Sequence, residues 1–221
     1  MGALPALRRR VRALSVLRRS VQALSALLLT VSLVASAQAP IAAPKAATPS
    51  APSVLNALRE GGYIIYFRHT ATDFGQNDDK MTGFEDCSTQ RNLTDAGRAD
   101  ARAIGAAIQS LRIPIGEVLA SPFCRTRETA ELIFGRATVS TVVRGGPATA
   151  EGARYDDLRT LLTRPLSGNA NLAIASHGNP FVAIAGPPYL AEGEAAVIQP
   201  LGDTRFRIVA RIKKDEWATL Q

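Results

Sequence analysis

The chain has 221 residues, 46% of them hydrophobic and 20% charged, an ordinary globular composition that supports one domain with a real core. Its net charge of +7 does not imply a polyanionic partner such as nucleic acid, because six of the 26 Lys+Arg residues (Arg8, Arg9, Arg10, Arg12, Arg18 and Arg19) fall in the first 19 positions. The remaining 20 nearly balance the 19 Asp+Glu, the first of which is Glu60.

The arginine-rich start is followed by "ALSALLLTVSLVASA", residues 23–37, an uncharged apolar run too short for a hydrocarbon core about 30 Å thick. Ala35-Ser36-Ala37 is a small-x-small cleavage signal. Residues 1–37 therefore read as an export signal peptide, with Gln38 as the new N-terminus and no stable membrane span after cleavage. An uncleaved anchor is the alternative. The near repeat "LRRRVRALS" and "LRRSVQALS" fits either a weak twin-arginine signal or an upstream start. The expected location is periplasmic or secreted. Residues 38–52, "QAPIAAPKAATPSAP", hold four prolines and read as a Pro/Ala-rich extended linker, which places the folded domain at 53–221.

Within that domain Ser53 is a candidate N-cap and Gly61 a stop for a short helix. "GYIIYF" (62–67) is a continuous apolar run, the pattern of a strand buried on both faces. Residues 70–92 form a long polar loop. Thr94 caps an amphipathic helix over 93–111, with Ala99, Ala103, Ile104, Ala107, Ile108 and Leu111 on one face. Strands follow at "EVLA" (117–120), "TVSTVV" (138–143) and "NLAIAS" (171–176). Helices are expected at 125–134, 154–162 and 179–185, and a closing strand pair at "AAVIQP" and "RFRIVARI". Strands alternating with helices predict an α/β fold: a three-layer sandwich with a mainly parallel central sheet and helices on both faces.

Three of the apolar runs end in residues of one chemical kind. The first delivers Arg68 and His69, the second runs into "SPFCR" and Arg125, and the fourth into "SHGN" and His177. Parallel strands put their carboxyl ends on one edge, where open α/β sheets bind ligands. Four cation-capable groups, including both histidines, would then converge. Their desolvation is costly unless an anion joins them, and a dianionic phosphate matches guanidinium forks. Neutral His69 could attack phosphorus while Arg68, Arg125 and His177 bind the phosphate oxygens. Such a reaction needs no metal or other cofactor. A His69–His177 metal site is disfavoured by the adjacent arginines and the lack of a carboxylate cluster.

These stretches resemble the histidine phosphatase superfamily (phosphoglycerate-mutase-like). "FRHT" stands where that family has its Arg-His-Gly signature, and "LTDAGRADARAIG" matches the helix after it. "LASPFCRTRETAELI" matches the Ser-Pro-x-x-Arg block and "ASHGN" the second-histidine motif, in the right order over roughly residues 61–212. The resemblance implies that His69 is the phospho-accepting nucleophile and that Arg68, Arg125 and His177 form the phosphate pocket. Thr70 in place of the usual glycine is a departure that could alter the turn, since β-branched residues tolerate unusual backbone angles poorly. In the mutase-like branch a glutamate after the Ser-Pro block is the general acid. Glu151 in "ATAEGARY" and Glu194 in "LAEGEAAV" are the two candidates here.

The expected function is hydrolysis of small phosphomonoesters through a phosphohistidine on His69. A non-catalytic phospho-ligand binder and a phosphohistidine or phosphoramidate phosphatase are the alternatives. Cys87 and Cys124 lie in segments expected to border the pocket, and an oxidising compartment predicts that they pair.

Overall fold

A computed structural model describes residues 51–144 and 153–220. The expected signal peptide and most of the linker lie outside the described residues, and so does Glu151. The elements in chain order are α1 (Ala51–Glu60), β1 (Ile64–Arg68), α2 (Asp95–Ser110), β2 (Ile115–Ala120), α3 (Cys124–Phe134), β3 (Thr138–Val139), α4 (Asp156–Thr163), β4 (Asn171–Ser176), α5 (Gly178–Ala185), β5 (Ala195–Gly202) and β6 (Arg205–Ile212). Among the described residues no helix is long and apolar enough to cross a membrane.

One six-stranded sheet runs in the order β3-β2-β4-β1-β5-β6. β3, β2, β4 and β1 are parallel, and β5 and β6 add on antiparallel at one edge. The expected mainly parallel α/β architecture is present. The reason lies in β1 and β4, every residue of which from Ile64 to Phe67 and from Asn171 to Ser176 is buried. Side chains alternate across a strand. Ile65 and Phe67 pack with Leu58 of α1, Ala101, Ile104 and Ile108 of α2, and Trp217. Ile64 and Tyr66 pack on the opposite face with Leu158 and Leu162 of α4 and Phe181 of α5. A strand covered on both sides has no polar face to show, so its sequence is an unbroken apolar run.

Several expectations are corrected. Helix α1 starts at Ala51, so Pro52 and Ser53 lie in its first turn and the linker ends earlier than expected; proline is tolerated there because first-turn amides have no helical acceptor. In α2 the cap is Thr94, whose hydroxyl accepts from the Gly97 amide at 2.9 Å. Its buried face, however, is Gly97, Ala101, Ile104 and Ile108, and Ala99 and Ala103 are exposed. Gly97 sets that rotation: a Cβ there would collide with the Ala71 carbonyl, so only glycine lets the helix seat against the chain just after His69. The strand expected over 138–143 shortens to Thr138–Val139, followed by a 3-10 turn at Val142–Arg144. It is an edge strand, and only Val143 of that run is fully buried.

Candidate active site

The parallel register brings the polar strand ends together. Arg68 pairs with Ser176 and Ala120 with Ala175, so the next residue of each strand emerges at the same edge. The His69 amide donates to the Ser176 carbonyl at 3.0 Å, and the Gly193 amide donates to the His69 carbonyl at 3.0 Å. The Ser121 amide donates to the Ala175 carbonyl at 3.0 Å. His69 is thus fixed by backbone on both sides before its side chain makes any contact. Thr70, the departure from the family's glycine, is not among the residues with positive φ; its amide donates to the Thr129 hydroxyl, so this turn needs no glycine.

The rings of His69 and His177 stand edge to face with centroids 5.6 Å apart. His69 Nδ1 lies 2.9 Å from the Thr70 carbonyl oxygen, which can only accept, so Nδ1 carries the proton and Nε2 keeps its lone pair. His177 Nε2 lies 2.8 Å from Ser121 Oγ. When that hydroxyl donates, the other ring nitrogen carries a proton for an anion. The Tyr66 hydroxyl, buried beneath, donates to the His177 carbonyl. Arg68 is anchored by donating from Nη1 to the Leu190 carbonyl at 2.8 Å and lies over the Tyr189 ring. Arg125, 5% exposed at the first turn of α3, donates from Nη1 to Asp78 at 3.0 Å. All four expected groups, His69, His177, Arg68 and Arg125, line one cavity of about 240 Å³.

Burial is the main force on both imidazoles. It pushes His69 down to about 3 against the backbone acceptor at Thr70, with Arg125, Arg68 and Arg91 acting in the same direction as burial. His177 is likewise held well below the usual imidazole range, first by burial and then by His69, Arg125, Arg144 and Arg91. Both rings are neutral near neutral pH, as a nucleophile requires. A stability consequence follows. An unfolded chain protonates histidine near pH 6.5, whereas folded His69 stays neutral down to about 3. Below about pH 6.5 the unfolded state therefore binds more protons, and stability falls as pH drops. The expected slope is about 1.4 kcal/mol per pH unit for each such histidine. Thermal unfolding between about pH 7 and pH 5 measures it. A melting temperature constant over that range would contradict it.

Several lining residues were not singled out in the sequence. Arg91, Arg144 and Arg154 join the cavity, with Phe123, Tyr155, Asn179 and Tyr189. Arg91 precedes the Leu93-Thr94 motif in a loop whose path the sequence does not state, and Arg144 lies just past the strand expected over 138–143. Asp78, also unanticipated, accepts from the Arg91 amide and from Arg125. Burial would raise its carboxyl, but these partners outweigh burial and hold it below the usual carboxylate range.

The placement of Glu194 is a correction. Its carboxylate is not at the cavity; it accepts from Arg211 Nε at 2.6 Å and from the Ala191 amide at 2.7 Å. Burial acts to raise it, yet Arg211 and the Ala191 amide prevail and keep it ionised. A clamped carboxylate is a poor proton donor. The neighbouring acid that does approach the pair is Glu192, which accepts from the Thr72 hydroxyl at 2.7 Å and lies 3.7 Å from Arg68 and 3.9 Å from His69 Nδ1. Cys87 and Cys124 form a disulfide, with Cα atoms 5.7 Å apart, that ties the 70–92 loop to the residue before Arg125.

An α/β sheet whose parallel strand ends deliver two neutral histidines into an arginine-lined cavity is chemically suited to an anion. Residues 64–146, which include Arg68, His69 and Arg125, match the family model of the histidine phosphatase superfamily (branch 1). No curated protein matches the chain. Similar solved structures include the protein histidine phosphatase SixA complexed with tungstate, 18% identical over 70% of this chain and 98% of that one, TM-score 0.49. A mycobacterial glucosyl-3-phosphoglycerate phosphatase is 17% identical, with 66% of this chain and 96% of that one covered and a TM-score of 0.46. A phosphoserine phosphatase mutant from Entamoeba histolytica in complex with phosphoserine is 14% identical, with 67% and 95% covered and a TM-score of 0.45.

Proposed function

We propose that the chain is an exported phosphatase that hydrolyses a small phosphomonoester through a phosphohistidine on His69. The observation that carries this reading is the tautomer of His69, with its Nδ1 proton committed to the Thr70 carbonyl and Nε2 left as a nucleophile among Arg68, Arg125 and His177. In the first step the Nε2 lone pair forms a bond to phosphorus and the ester P–O bond breaks, its electrons leaving on the alcohol oxygen. In the second, water adds to phosphorus, returns a proton to the acid that protonated the alcohol, and the N–P bond breaks. This releases phosphate and restores neutral His69. The arginines and His177 stabilise charge spread over the phosphoryl oxygens in both steps.

The leaving alkoxide needs a proton. No carboxylic acid lines the cavity among the described residues. With Glu194 bound to Arg211, Glu151 is the acid we assign. Phosphate release from an alkyl phosphate and from p-nitrophenyl phosphate, with and without Glu151→Gln, tests both assignments. We expect the substitution to lower alkyl ester hydrolysis about 100-fold or more while p-nitrophenyl phosphate loses much less, since its leaving group needs no proton. Equal losses on the two esters would refute the assignment of Glu151. Absence of phosphate release from either ester by the wild type would refute the phosphatase. Slow alkyl hydrolysis that ignores Glu151→Gln would favour the phosphoramidate alternative. Export is proposed on the signal-like residues 1–37, with a mature chain beginning at Gln38 as the expected product.

A further inference from the structure

The cavity holds more positive charge than one phosphate ester can satisfy. Five arginines line it, Arg68, Arg91, Arg125, Arg144 and Arg154, and both histidines are neutral. Among the described residues, the carboxylates beside them are Asp78 on Arg125 and Glu192 near Arg68. Glu151, in its proposed role, carries a proton and adds no charge. Arg91, Arg144 and Arg154 have no carboxylate within salt-bridge distance among the described residues. Their guanidinium groups rest instead on aromatic faces: Arg91 over Phe74 at 4.9 Å, Arg144 over Phe84 and Phe123 at 5.2 and 5.5 Å, and Arg154 over Tyr155 at 5.5 Å. The Nε atoms of Arg91 and Arg154 are buried and lack a hydrogen-bond partner among the described residues. A buried guanidinium donor left unmatched is costly, and the loss is recovered when an anion accepts from it.

A phosphoryl group held by Arg68, Arg125 and the histidines leaves Arg144 and Arg154 unsatisfied. Arg144 follows β3 and Arg154 precedes α4, so neither belongs to the strand ends that carry Arg68, His69 and His177. With a volume of about 240 Å³ the cavity suits a compact molecule. We infer that Arg144 and Arg154, together with Arg91, form a second anion subsite, and that the substrate is a small phosphomonoester bearing another phosphate or a carboxylate a few bonds away. This inference rests on the phosphatase reading for the identity of the first group, and its test does not depend on turnover.

The full chain is titrated calorimetrically with three non-hydrolysable probes, methylphosphonate, methylenediphosphonate and phosphonoacetate, at a fixed salt concentration of about 0.15 M. At least one of the two doubly anionic probes should bind about tenfold or more tighter than methylphosphonate, from an added charge-assisted fork. Preference for methylenediphosphonate assigns the second group as phosphate, and preference for phosphonoacetate as carboxylate. In the Arg144→Gln/Arg154→Gln variant the preference should shrink to about threefold or less. Equal affinities for all three probes in the wild type would overturn the subsite whether or not the variant folds, as would a full preference retained in a folded variant. Hydrolysis of p-nitrophenyl phosphate by the same preparation reports the phosphatase reading separately. Its absence alongside a preference for two anionic groups would sink that reading and leave the subsite standing.

Discussion

His69→Ala is expected to lower phosphate release by about 10³-fold or more, with a far smaller effect on phosphate affinity. The asymmetry follows from the geometry. In the proposed mechanism the imidazole supplies the bond-forming lone pair, while binding would be shared by the other cavity-lining groups, Arg68, Arg125, His177 and the surrounding arginines. Removing a buried ring that is only 2% exposed leaves a void, so the variant's melting temperature must be measured beside its turnover. Steady-state kinetics with p-nitrophenyl phosphate and a phosphate titration separate the two quantities. A variant that folds and still turns over within about tenfold of the wild type would show that His69 is not the nucleophile. A non-catalytic binder would show no turnover in either protein.

The second large effect is on stability. Cys87→Ser/Cys124→Ser opens a loop with a sequence separation of 37. In the chain-entropy description this costs about 4 kcal/mol, or about 10 °C in melting temperature for a domain of this size. The loss should reach function as well. The disulfide holds the 70–92 loop on the start of α3, where the Cys124 amide donates to Gln90 at 3.0 Å and Arg125 to Asp78. A looser loop should therefore raise KM for phosphate esters more than it lowers kcat. Differential scanning calorimetry of the variant checks the first part. A shift under about 2 °C would mean that the bridge constrains little that the packing does not already hold.

The sheet was legible because its central strands are extreme cases. The runs 62–67 and 171–176 form strands covered on both faces, so their sequences are almost wholly apolar. The positions of Arg68, His69, Arg125 and His177 followed from the same fact, since residues just past buried parallel strands share an edge. What the sequence did not state was anything decided by loop path or by a single close approach. The rotation of α2 depends on Gly97 against Ala71, which puts Ala101 rather than Ala99 and Ala103 on the buried face. Arg91, Arg144 and Arg154 come from segments without periodicity, so nothing in their spacing announces a shared cavity. The two glutamates separated by one residue show the limit most clearly. Glu192 turns toward Thr72, Arg68 and His69, while Glu194 turns to Arg211 on β6, an antiparallel partner 17 residues away. A turn of the chain between them decides which acid meets the site.

The most direct measurement is rapid acid-free quench of the enzyme during turnover, followed by intact-mass and peptide analysis. A single phosphate that survives alkali, is lost in acid, maps to His69 and is missing from His69→Ala is the expected result. Turnover with no adduct, or with phosphate on another residue, would contradict the account.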